Sequence, residues 1–218
     1  MAWVAGSLLV AAAAVAVRWW FRRVDSLGRR REFPLVAVLV LAALGAGLLV
    51  PVVRTARLEG RLSRVASDLV GAPVTVHCQG LGQEFVDVGD ELGYVRLRPD
   101  GRPERAALLK RAQCGDLAGY LHSDRRHPTA AQVLAVHVLS HEAMHMAGSI
   151  GEAETECRAV QVDARTARLL GAPPADARAL ARSYWQTDYP RMPDAYLSEQ
   201  CRAGGRLDEH LPDAPWVP

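Results

Sequence analysis

The sequence predicts an α+β fold, mainly helical, carried behind two membrane-spanning helices. Three observations predict it. Two apolar segments lie within the first 53 residues, short alternating segments follow between 73 and 98, and long stretches at helical spacing fill most of the rest. At 218 residues the chain has room for one domain plus accessory segments.

The first apolar segment, 1–17, carries no charged side chain and runs into Arg18-Trp19-Trp20-Phe21-Arg22-Arg23, where aromatic rings beside arginines mark a membrane interface. A secretory signal would place its positive charge before the apolar run; here the charge follows, so the segment reads as a span. The second segment, 33–53, is 21 residues long. At about 1.5 Å per residue it crosses a hydrocarbon core of ~30 Å. Pro51 sits near its far end, where headgroups or water replace the lost backbone donor.

The loop between the spans, 18–32, holds six arginines and reads as cytoplasmic. The N-terminus and everything after residue 53 are then expected outside, against a weak counter-signal from Arg54, Arg57, Arg61 and Arg64. Lys110 is the only lysine, an arginine bias that fits a GC-rich bacterial genome. The expected location is a bacterial plasma membrane, multi-pass, with the C-terminal domain extracytoplasmic. Charge is nearly balanced, 26 Lys+Arg against 24 Asp+Glu, so the lipid bilayer is an expected partner and nucleic acid is not.

Residues 54–72 place Leu58, Leu62, Val65 and Leu69 at helical spacing, a juxtamembrane helix that stops at Gly71-Ala72-Pro73. The remaining domain, 73–218, opens with two short strands, 73–78 and 93–98, separated by turns rich in Gly and Asp. A helix is expected over 104–117. Another follows over 130–147, capped by Thr129 and free of Gly and Pro, and then helices over 152–170 and about 175–185. The tail beyond Tyr189 is rich in Pro and Gly. Cys78, Cys114, Cys157 and Cys201 all fall after the spans, and an even count in an extracytoplasmic domain fits two disulfides. Three pairings exist; sequence order favours Cys78 with Cys114 and Cys157 with Cys201. Reduced, buried thiols are the alternative.

Chemistry concentrates in His141-Glu142-Ala143-Met144-His145. On a helix, a spacing of four puts both imidazoles on one face, where their nitrogens converge on one Zn²⁺ at about 2.0–2.1 Å. Glu142 lies one position round, placed to take a proton from a water whose pKa zinc lowers to roughly 7. So short a pattern also arises by chance, and context decides. Gly148 and Gly151 allow a sharp turn, and Glu152-Ala153-Glu154-Thr155-Glu156 opens the next helix with the carboxylates a third ligand requires.

Over roughly residues 129–170 the sequence resembles the zincin metallopeptidases, and within them the gluzincins, in which H-E-x-x-H is completed by a Glu on the next helix. The resemblance implies a zincin-like domain with Glu152 as third metal ligand beside His141 and His145. It implies Glu156 as the carboxylate that orients the first histidine, where the family more often has Asp. The interval from His145 to Glu152 is short for gluzincins, and His145-Met146-Ala147-Gly148 is similar to the H-x-x-G turn of metzincins. Their third ligand would fall on Gly151, which has no side chain, so Glu152 is kept under either geometry, with Glu154 and Glu156 as fallbacks.

The resemblance further implies a Tyr or His that stabilises an oxyanion, for which Tyr184, Tyr189 and His210 are available. His137, one turn before His141, reads as a packed core residue, although it shares the metal face. Asp163 shares a face with Glu156 but reads as a solvated helix position. Arg96 and Arg98 on the second strand would meet an acidic substrate or simply guard an edge. The expected activity is a zinc metallopeptidase acting on peptide or protein substrates, with Zn²⁺ as cofactor and Glu142 as general base. The rival readings are a catalytically inactive, zinc-stabilised membrane scaffold and a membrane protein with a chance motif.

Overall fold

The computed structural model describes all residues except 1, 25–27, 81, 84–88, 90 and 217–218. The Gly- and Asp-rich turns expected between the first two strands therefore lie largely outside the described residues. The chain forms two compact units, Met1–Arg57 and Leu58–Pro218.

In the first unit, α1 (Ala2–Phe21) and the N-terminal part of α2 (Leu35–Val70) are long and apolar enough to cross a membrane. They touch through small residues. Ala5 and Ala12 are buried, and a Cβ added at Gly45 would come within 2.8 Å of the Leu9 side chain and 3.2 Å of the Ala5 carbonyl. Helices without bulky side chains at the crossing approach closely, which suits association where apolar burial gives no driving force. The apolar segment and the amphipathic segment after it, expected as separate elements, are one helix with Pro51 inside it.

In the second unit, strands β1 (Thr75–Cys78), β2 (Gly93–Leu97) and β3 (Pro103–Leu109) form a sheet of order β1-β3-β2. β3 is parallel to β1 and antiparallel to β2, with Ala107 opposite both Val76 and Val95. This corrects the helix expected over 104–117, because only α3 (Arg111–His122) is helical there. Glu104, Ala106, Ala107 and Leu108 are good helix formers, yet β1 and β2 do not pair with each other, and β3 supplies both ladders. Pairing and burial of Ala107 and Leu109 outweigh a propensity of a few tenths of a kcal/mol per residue.

The helices α4 (Ala130–Met146), α5 (Glu152–Leu169) and α6 (Pro174–Thr187) complete the domain. Thr129 caps α4 by accepting from the Gln132 backbone N–H at 3.2 Å, while the Gln132 side chain accepts from the Thr129 N–H at 3.0 Å. α4 is apolar on nearly every side and runs through the core, packed against α5, α3, α6 and the sheet. At its end Gly148 has φ +114°, which other residues rarely adopt, and this turn starts α5 back along α4. Gly151 has an ordinary φ of −81° and needs no such freedom.

The disulfides are Cys78–Cys114 and Cys157–Cys201, the pairing that sequence order favours. The first ties β1 to α3. The second ties α5 to the Pro- and Gly-rich tail, which is further held by Gln161 donating to the Leu207 carbonyl at 2.9 Å and by Arg158 against Glu209 at 2.7 Å.

Candidate metal centre

Because α4 and α5 run side by side in opposite directions, residues every four along each helix come face to face. His145 and His141 meet Glu152; His141 and His137 meet Glu156; His137 also meets Asp163. His141 Nε2 lies 3.0 Å from His145 Nε2 and 3.2 Å from Glu152 Oε2, and His145 Nε2 lies 3.4 Å from the same oxygen. Three ligands of a tetrahedral ion with bonds of ~2.0–2.1 Å sit ~3.3 Å apart. The triangle is of that size.

Hydrogen bonding behind the triangle says what its corners carry. His145 Nδ1 is 2.9 Å from the Ser149 carbonyl, and a carbonyl only accepts. The ring proton therefore sits on Nδ1 and Nε2 is left with a lone pair. His141 Nδ1 donates in the same way to Glu156 Oε2 at 2.9 Å. Two nitrogen lone pairs and a carboxylate oxygen thus face one another at close range, and such a set repels itself unless a cation or proton lies among them. Burial lowers the pKa of His141, but the hydrogen bonds it donates to Glu152 and Glu156 outweigh it and raise it to about 9. The triangle draws positive charge. These residues could hold a metal ion.

A second group, His137, His141 and Glu156, also has its ligand atoms close enough to hold a metal ion. We favour the first triangle. In the second, His137 Nε2 and His141 Nδ1 both point at Glu156 Oε2, at 3.0 and 2.9 Å, which is the arrangement of two donors on one acceptor. The opposite nitrogen of His137 is held by Asp163 at 2.9 Å. Burial pulls His137 down, yet the carboxylates of Glu156 and Asp163 raise its pKa to about 10. Glu156, although burial raises it, is held well below the usual carboxylate range by His137 and His141.

Glu142 borders the same cleft. Burial pushes its pKa up to about 7, and its Oε2 is buried with no hydrogen-bond partner among the described residues. Gly93 of β2 makes room for it, since a Cβ there would lie 3.0 Å from Glu142 Oε1 and 2.9 Å from the Leu109 side chain. The cleft, of about 430 Å³, runs between β2 and α4 and is floored by His141, His145 and Glu152, with Val95, Leu97, Leu134, Val138 and Ile150 among its apolar walls.

The fallback Glu154 is exposed and lies outside the cluster, half a turn away from the face shared by Glu152 and Glu156. Asp163, expected in solvent, is fully buried beneath His137, a correction that follows from α5 being covered on that face by α4. His137 is buried as expected, but as a hydrogen-bonded group rather than an apolar filler. Among the tyrosines and histidine available for an oxyanion, Tyr184 is buried, stacks on His137 at 3.6 Å and donates to Glu156 Oε1 at 2.7 Å. Tyr189 accepts from the Ser198 N–H, and His210 is exposed beside Asp208. A further tyrosine lining the cleft, beside Tyr94 and Tyr184, is Tyr196, on the 3₁₀ turn Asp194–Tyr196, with its ring 5.9 Å from that of His141. Sequence reasoning passed over it because it sits in the Pro-rich tail, 51 residues after His145, with no spacing to link the two.

Comparison with family models, with curated proteins and with solved structures found no match. A functional reading therefore rests on this geometry and on the H-E-x-x-H motif.

Proposed function

We propose that the protein is a membrane-anchored zinc metallopeptidase that hydrolyses peptide bonds, its domain lying on the extracytoplasmic side. The observation that carries this reading is the triangle of His141 Nε2, His145 Nε2 and Glu152 Oε2, each edge 3.0–3.4 Å, with both histidine tautomers set from behind. Zinc held by these three residues would supply Lewis acidity, lowering the pKa of water toward ~7 and polarising a carbonyl.

Glu142 takes the proton from the attacking water and passes it to the leaving amine; its buried, unpartnered oxygen supports that role. The Tyr196 hydroxyl makes no hydrogen bond to a described residue and is available to donate to the developing oxyanion. β2 lies at an edge of the sheet and lines the cleft, so an extended peptide can align along it while the apolar walls take a bulky apolar side chain. The two disulfides support an oxidising compartment for this domain.

The test uses the full chain in detergent with unfolded casein as substrate, reading new N-termini by mass spectrometry. Cleavage is expected with one equivalent of zinc, lost on chelation, and down about 10²–10⁴-fold in Glu142→Gln with zinc retained. One equivalent of zinc with no cleavage in the wild type would favour the inactive, zinc-stabilised scaffold. Less than a tenth of an equivalent would end the metal reading altogether.

A further inference from the structure

Behind His141 lies a line of buried side chains that the proposed reaction does not itself require. From α4 to α5 it runs His141 Nδ1 to Glu156 Oε2 at 2.9 Å, His137 Nε2 to the same oxygen at 3.0 Å, and His137 Nδ1 to Asp163 Oδ2 at 2.9 Å. Tyr184 closes the group from α6, donating to the other Glu156 oxygen and stacking flat on the His137 ring, 11° from parallel. His137, Glu156 and Asp163 are each no more than 2% exposed. An α4–α5 interface made of aliphatic side chains would pack as tightly without removing two carboxylates and an imidazole from water. The polar line also has a direction: it ends on the nitrogen that sets the tautomer of His141.

We propose that His137, clamped by Asp163, is a positioning residue for the metal site, holding Glu156 in the one orientation that fixes His141 with its Nε2 lone pair toward His145 and Glu152. Both nitrogens of His137 face carboxylate oxygens, so both donate, and the ring is a cation bridging two anions. With His137 on Oε2 and Tyr184 on Oε1, the Glu156 carboxylate cannot rotate, and Oε2 has one further direction left for His141. Groups that orient a metal-binding histidine in this way set ligand basicity and metal affinity as well as geometry. The proposal rests on the metal triangle described above, and its test separates the two.

Cobalt(II) is titrated into the metal-free full chain in detergent and followed by its visible absorption, with zinc competition giving relative affinities. His137→Phe keeps a ring against Tyr184 and removes both hydrogen bonds; it should weaken cobalt and zinc binding ~10–100-fold and alter the cobalt spectrum. His137→Gln, which keeps an N–H for Glu156, should recover part of that loss, and Asp163→Asn should fall between Gln and wild type. If His137→Phe does not fold, the Gln and Asn variants carry the test through the same graded order. Wild-type affinity and spectrum in the folded variants, with one equivalent bound to the wild type, overturn the role of His137 while leaving the triangle standing. A wild type that binds no cobalt overturns both.

Discussion

Glu156 accepts from His137, His141 and Tyr184 at once, and such crowding of donors around one buried carboxylate ties stability to pH. Its pKa is held below the unfolded value, so its contribution is present above pH ~4.3 and lost as pH falls through the folded value. His137 is shifted the other way, to about 10, so its contribution is complete below ~6.5 and is lost as pH rises through 10. For the metal-free chain we expect this cluster to stabilise most near pH 4.5–6.5. Melting temperature should fall from pH 6.5 to 10, less steeply in Asp163→Asn; a wild-type profile flat over that range would show that His137 is not held as a cation. The residue pattern that announces the cluster was visible in the sequence, because His137, His141 and His145 are spaced by four and Glu152 and Glu156 likewise. What it did not reveal was which positions are covered. Asp163 reads as solvent-facing until a second helix is laid over it.

Among the elements, α5 connects site and tail: it carries Glu152 and Glu156 and, one residue on, Cys157, bonded to Cys201. Residues 192–196, which bring Met192, Pro193 and Tyr196 to the cleft, lie just before that disulfide. Replacing both cysteines by serine should cost ~2–4 kcal/mol by releasing a closure of 44 residues, measured by denaturant unfolding. If the loss is below about 0.5 kcal/mol, the other tail contacts suffice alone. α4, α5 and α6 were legible one by one, since α4 opens at Thr129 with no internal Gly or Pro and α5 and α6 are bounded by Gly and Pro. β3 was not. Its Glu104, Ala106, Ala107 and Leu108 favour helix locally, and its role as the central strand depends on partners at 75–78 and 93–97 that no local window contains.

At the scale of the whole molecule, the proposed topology puts the basic loop inside and the 73–218 domain outside. Alkaline phosphatase fused after residue 218 should be active in a bacterial host, whereas a green fluorescent protein in its place should stay dark; the reverse pattern would invert the orientation. An inverted domain would also face reducing conditions poorly matched to its two disulfides.

Composition and order alone determined the two apolar helices, the helical nature of the domain and the candidate metal-binding spacing, because each is written in neighbours or in a period of four; the cysteine pairing was only favoured by order among three and was fixed by the fold. The tertiary structure decided what depends on two distant segments meeting. It placed Gly93 of β2 against Glu142 and Tyr196 of the tail beside His141, and it buried Asp163 under His137. Burial and partner choice are properties of packed surfaces, and a surface exists only once separate elements have come together.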